Sequence, residues 1–174
     1  MNRAALAACL FALTAPAFAQ APSETDGPIV SQAEGDAIAA RVRAGASCPG
    51  CDLFQVDLAY QVVSGRDYSG SRIRQANLSV AIADGARFRG ANLSLANLFG
   101  VRATRADFTD ANLHGATLVG GHFGGARFDG AVLTGANLSG AELADATGLT
   151  QAQLNTACGD ATTTRPAGLT IPAC

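Results

Sequence analysis

From Cys51 to Asp145 the chain repeats a small, a polar and a large apolar position every five residues. In that frame there are nineteen blocks, among them ANLSV, ARFRG, ANLSL, ADFTD and ANLSG. Leu, Ile, Val, Phe or Tyr fills the central position in seventeen of the nineteen, with Ala83 and Ala103 the exceptions. Ala opens twelve blocks and Gly closes eleven, as expected where the chain turns a corner that a Cβ would crowd. A helix, whose side chains recur every 3.6 residues, cannot keep a stripe of period five. Short strands joined by corners can, so the pattern predicts a β-solenoid.

The number of blocks per coil follows from stacking like on like. A step of twenty residues places Tyr68, Phe88, Phe108 and Phe128 in one column, and Leu53, Ile73, Leu93, Leu113 and Leu133 in the next. Leu58, Leu78, Leu98, Leu118 and Leu138 form a third column, and Val63, Ala83, Ala103, Phe123 and Leu143 a fourth. A step of fifteen scatters the aromatic residues. Four blocks per coil and nearly five coils are therefore predicted. Volumes compensate in the same frame: Ala103 follows a large Val101, and Phe123 follows Gly121, the trade-off that close packing demands. One row outward, Asp67, Arg87, Asp107 and Arg127 alternate in sign, which reads as a solvated charged face.

The blocks Ala76-Asn-Leu-Ser-Val80, Ala91-Asn-Leu-Ser-Leu95 and Ala136-Asn-Leu-Ser-Gly140 resemble the A(D/N)LxX signature of the pentapeptide-repeat family. The resemblance covers 51–145 and implies a right-handed quadrilateral β-helix. It departs from the pattern in the first coil, where Gln61, Arg66 and Ser71 take opening positions. The motif is specific for the fold and says almost nothing about activity.

The flanks read differently. Met1-Asn2-Arg3, an apolar stretch from Ala4 to Pro16 and the A-x-A triplet Ala17-Phe18-Ala19 form a signal peptide over 1–19, with cleavage expected before Gln20. Leu6-Ala7-Ala8-Cys9 also matches a lipobox, a competing reading in which Cys9 carries lipid. Residues 20–50 form a leader and a capping helix over about 32–44, opened by the capping box Ser31-Gln-Ala-Glu34 and ended by Gly45. The solenoid occupies 51–148. A second capping box, Thr150-Gln-Ala-Gln153, flanked by Leu149 and Leu154, starts a helix to about Ala157, and 149–174 closes the far end with an extended tail.

Composition narrows the chemistry. Twelve basic residues, all Arg, against fourteen acidic ones leave a formal charge of -2, no argument for a nucleic-acid or anionic-membrane partner. No apolar run approaches the ~20 residues of a membrane span. Beyond Cys9 the cysteines are Cys48, Cys51, Cys158 and Cys174. With strands ~4.8 Å apart the solenoid separates the two pairs by roughly 20 Å, too far for one zinc site. Export favours disulfides, Cys48–Cys51 and Cys158–Cys174. Cys48-Pro-Gly-Cys51 also has the form of a redox C-x-x-C, without the βαβ context of such enzymes. His114 and His122 fall on different faces, and the carboxylates are scattered, so neither a metal nor any other cofactor is expected and no enzyme is read here.

One surface feature stands out. Tyr60, Val62, Val80, Ile82 and Phe99 take outward positions around one corner of the early coils. Such patches mark partner sites, unless the N-terminal helix or the leader folds over them. Three functions remain: an exported, non-enzymatic binding or scaffold surface of unknown partner; a gyrase-interacting DNA mimic, implied by some family members; and a Cys48/Cys51 thiol-redox protein. Nine acids against eight arginines in 51–145 and the export signal weigh against the second.

Overall fold

The computed structural model describes residues 32–174. The expected signal peptide, Cys9, the leader and the Ser31 cap lie outside the described residues.

Each five-residue block contributes one short extended step and one turn. Parallel bridges join residues twenty apart throughout, as in Asp52 to Arg72 to Asn92 to Asn112 to Val132. Three further ladders start at Asp57, Val62 and Asp67, so the coil has four faces. Within each, the backbone alternates its direction of donation. The N–H of Leu58 donates to the carbonyl of Asn77, whose own N–H donates to that of Val56.

The sequence dictates this shape through two devices. The closing residue of most blocks has φ near +60°, which Gly adopts without the Cβ clash that other residues suffer. The second residue is often Asn or Asp, and its side chain accepts the N–H two residues on. Asn77 caps Ser79 at 3.1 Å, Asn97 caps Phe99 at 3.0 Å and Asn137 caps Ser139 at 2.9 Å. The Asn of the repeat is thus a turn residue.

The core is the inside of the prism. Opening alanines and central apolar residues are almost wholly buried from Leu53 to Leu143. Tyr68, Phe88, Phe108 and Phe128 stack with ring centroids 5.5, 5.1 and 5.1 Å apart and planes within 17° of parallel. Phe123 meets Phe108 and Phe128 edge-on, at 6.0 and 5.7 Å. Such pairs add ~0.5–1.5 kcal/mol beyond burial.

Helix α1 (Gln32–Arg43) lies on the N-terminal end of the prism, with Ala39 and Val42 buried and Ile38 partly buried against the core. It leaves the apolar corner uncovered: Tyr60 is 75% and Val62 62% exposed. Of the covers considered from sequence, the helix is therefore ruled out. Its apolar residues pack against the core of the prism instead.

At the other end α2 (Gln151–Leu154) stops short of the expected Ala157. The capping box is formed, with the Gln153 N–H donating to the Thr150 hydroxyl at 3.3 Å and the Thr150 N–H to the Gln153 side chain at 2.8 Å. The Gln153 amide also donates to the carbonyls of Phe128 and Ala131, satisfying backbone groups of the last full coil. Beyond α2 the tail pairs with the solenoid in a slipped register, Asn137 with Cys158 and Glu142 with Thr164. The helix is short because Cys158 and Thr164 are drawn back into the ladder.

Candidate binding surface

The corner that carries Tyr60, Val62, Val80, Ile82 and Phe99 lies between the second and third faces. Tyr60 and Val80 hold the closing position of their blocks, where later coils have Gly100, Gly120 and Gly140. Their φ values are 61° and 57°, in the left-handed region. For β-branched Val80 this is a strained conformation, costing ~1–2 kcal/mol. Val62 and Ile82 are bridged partners just past the corner, and Phe99 meets Val80 through a 2.7 Å backbone hydrogen bond from the Val80 N–H to the Phe99 carbonyl. The structure brings all five together. Ile82 is half-buried, and the other four are exposed, Phe99 by 51%.

The patch ends where the third face turns polar. Above Ile82 come Arg102, His122 and Glu142. The Arg102 guanidinium binds Asp84 at 2.6 Å, and His122 Nδ1 lies 2.8 Å from Glu142 Oε2. Other exposed apolar residues do not extend it. Phe54 sits under the Arg72 guanidinium at 5.0 Å, Leu95 packs across Gly115, and Val132 is on the first face.

The cysteines lie at opposite ends. Cys48 and Cys51 form one disulfide (Cα–Cα 5.5 Å) and Cys158 and Cys174 the other (Cα–Cα 4.8 Å). Ser71, one of the departures from the repeat, explains itself here. Its buried hydroxyl donates to the Cys48 carbonyl at 2.7 Å and accepts the Cys51 N–H at 3.2 Å, pinning the Cys48–Cys51 turn to the second coil. An Ala there would leave the two groups only their long mutual bond, from the Cys51 N–H to the Cys48 carbonyl at 3.4 Å.

The charged ladder is only partly paired. Arg87 reaches Asp67 at 3.9 Å, while Arg127 turns to Asp129 at 3.5 Å. The Ser69 hydroxyl and N–H hold the Asp67 carboxyl below its ordinary range, helped by Arg87 and opposed by partial desolvation. His114 and His122 are both exposed and on different faces. Among the described residues no three of His, Cys, Asp and Glu are grouped to hold a metal ion. No helix among them is long and apolar enough to cross a membrane.

A parallel ladder of twenty-residue step, four capped corners per coil and a filled interior define a β-solenoid of five-residue repeats. The chain belongs to the pentapeptide-repeat family: the family profile matches eight copies over residues 69–98, 96–125, 111–147 and 122–157. Among solved structures it is similar to a pentapeptide repeat protein of the Arabidopsis thaliana thylakoid lumen. That similarity is 29% identity over 80% of this chain and 90% of that one, with a TM-score of 0.51. It also matches a pentapeptide repeat protein of the cyanobacterium Cyanothece 51142, at 21% identity over 78% and 99% of the two chains, with a TM-score of 0.32. A trypsin-treated form of QnrB1, a plasmid-mediated fluoroquinolone resistance protein, matches at 22% identity over 73% and 82%, with a TM-score of 0.33. No curated protein matches the chain.

Proposed function

We propose that this protein is an exported, non-enzymatic binding module. Its solenoid, four blocks per coil and nearly five coils between two helical caps, holds the corner of Tyr60, Val62, Val80, Ile82 and Phe99 toward a protein partner. The observation that carries this reading is the corner itself. Four apolar side chains stand exposed side by side, and Val80 keeps a strained left-handed backbone where later coils use glycine. Strain and exposed apolar area both weigh against stability, and such features concentrate at functional sites. Export is supported by the sequence at 1–19 and by two disulfides at the ends of the rod. The charge balance of the repeats gives no acidic surface of the kind a DNA mimic needs.

The test has two arms. Cell fractionation of a bacterial host, with intact-mass measurement, should find the protein outside the cytoplasm and beginning at Gln20; a chain retaining Met1 there, or a lipid on Cys9, refutes the export route. In extracts of the exported fraction, a photo-reactive phenylalanine at position 99 should form a discrete adduct with another protein. The same probe at position 132 should form none, and Ile82→Asp should abolish the adduct at 99. Equal labelling from both positions would sink the surface assignment.

A further inference from the structure

The two disulfides sit in different surroundings. Cys48 is buried in the core, its N–H donating to the Asp67 carbonyl at 2.8 Å, and Cys51 is half-buried beside it. At the far end Cys174 is exposed and Cys158 half-buried. Asn137 Oδ1 and Ser139 Oγ lie 3.3 and 3.4 Å from Cys174 Sγ, so this sulfur faces polar groups and solvent. Residues 158–164 are held on the last coil by bonds of their own. The N–H groups of Cys158 and Thr164 donate to the carbonyls of Ala136 and Ala141, both at 3.0 Å, and the buried Thr163 hydroxyl donates to the Leu138 carbonyl at 3.0 Å. The segment from Pro166 onward is held more lightly. The Gly159 N–H donates to the Pro172 carbonyl, and the Cys174 N–H to the Gly159 carbonyl, both at 2.9 Å. The Gln151 side-chain amide donates to the Thr170 carbonyl and accepts the Thr170 N–H, again at 2.9 Å. Leu169 and Ile171 are only partly buried against the core.

We infer that residues 166–174 form a strap that thiol–disulfide exchange at Cys174 releases, while the Cys48–Cys51 bond stays closed. Access selects the sulfur that is attacked. A thiolate of a dithiol reductant attacks the exposed Cys174 Sγ, forming a mixed disulfide and expelling the Cys158 thiolate, which takes a proton from water. The second thiol of the reductant then attacks its own sulfur in the mixed disulfide and frees Cys174. Two electrons pass to the protein, whose disulfide becomes two thiols, and the dithiol becomes a disulfide. With the bond cut, nine residues are held by a few exposed hydrogen bonds and two partly buried side chains. These do not offset the conformational freedom that the segment regains. The hinge falls at Arg165–Pro166, because Pro166 has no N–H to add to the ladder. Release strips the Gly159 N–H and C=O of their partners and opens a strand edge at the end of the rod, which reoxidation closes again. The binding corner lies in the first three coils and is untouched by the release.

Purified protein and dithiothreitol test this. In a time course quenched by alkylation and read by peptide mass, Cys158 and Cys174 should be labelled at least about tenfold faster than Cys48 and Cys51. Amide hydrogen exchange by NMR on the selectively reduced protein should show the Gly159 and Cys174 N–H groups released at least about tenfold. The N–H groups of Leu138 and Leu143, bonded to the Cys158 and Thr164 carbonyls at 2.8 and 3.1 Å, should stay protected. A Cys158→Ser, Cys174→Ser variant should show the same release without reductant and no response to it. Equal labelling of the two cysteine pairs would overturn the inference. So would a Gly159 amide as protected after reduction as before, which would show that the segment stays in place without the bond. Loss of Leu138 protection together with Gly159 would mean that the bond holds the whole last coil, and would overturn a strap hinged at Pro166.

Discussion

The ring of Phe123 fills the space that a side chain at Gly121 would need: a Cβ on Gly121 would lie 2.5 Å from Cε2 and 2.8 Å from Cζ. The two residues share one block, and the missing side chain of the first lets the second turn inward, edge-on to Phe108 and Phe128. Backbone conformation plays no part, because Gly121 does not lie in the left-handed region. Gly121→Ala should therefore cost ~1–3 kcal/mol through overpacking. Adding Phe123→Leu, which makes room, should recover part of that loss. Denaturant unfolding of the two variants and the parent checks this; equal costs for the single and the double change would show that the ring is not the obstacle.

The inward phase is tested by two phenylalanines nine residues apart. Phe108 is fully buried between Phe88 and Phe128, so Phe108→Ala should cost ~3–5 kcal/mol. Phe99→Ala, on the exposed corner, should cost less than half as much. Phe88→Ala and Phe108→Ala should combine non-additively, since the rings are in contact at 5.1 Å.

Tyr68 opens the aromatic stack but brings a hydroxyl into the prism, and that hydroxyl has no hydrogen-bond partner among the described residues. Burial pushes its pKa up to about 12, against a smaller opposing pull from Arg66. Tyr68→Phe keeps the stack and removes the orphan, so it should raise stability by about 1 kcal/mol. A loss of stability on chemical denaturation would mean that the hydroxyl is satisfied after all.

Acid should loosen the C-terminal end of the rod. The Asp160 carboxylate accepts the Thr162 hydroxyl at 2.6 Å, and the N–H groups of Gly140 and Thr162 at 3.1 and 2.9 Å. The Thr162 hydroxyl is the strongest influence, and with the others it outweighs desolvation and lowers the pKa from 3.8 to about 2. A folded pKa below the unfolded one means stability that is present above about 3.8 and lost as pH falls toward about 2. Asp160→Asn should melt below the parent at pH 6, with the gap closing near pH 2. A gap constant across that window would deny the carboxylate its role.

What the chain discloses without coordinates is whatever depends on period. The Phe88, Phe108 and Phe128 column, the Gly121 and Phe123 exchange of volume and the Thr150 capping box are all local or strictly periodic, and each is legible from the residues. What stays hidden breaks the period or depends on direction. Ser71 reads as an irregularity until the Cys48 carbonyl is seen above its hydroxyl. The return of Cys158 and Thr164 to the ladder needs steps of twenty-one and twenty-two residues, which no repeat announces. The axis of α1, which decides whether Tyr60 and Val62 are covered, is set by how Ala39 and Val42 meet the prism end. Its own narrow stripe is equally compatible with either placement.

The twenty-residue register makes the length of this rod a discrete quantity. Deleting 111–130 would remove one whole circuit and bring Asp110 to Ala131, the same junction of closing and opening positions that every block has. Every column would stay in phase, and the rod would shorten by about 4.8 Å. Inserting a single residue anywhere between 70 and 130 would act as a frameshift of the fold, turning each later Leu and Phe outward and each later Asn and Arg inward. Variation in this chain is therefore confined to side chains, to the two ends and to whole circuits, and a surface on one corner keeps its place however many circuits lie beyond it.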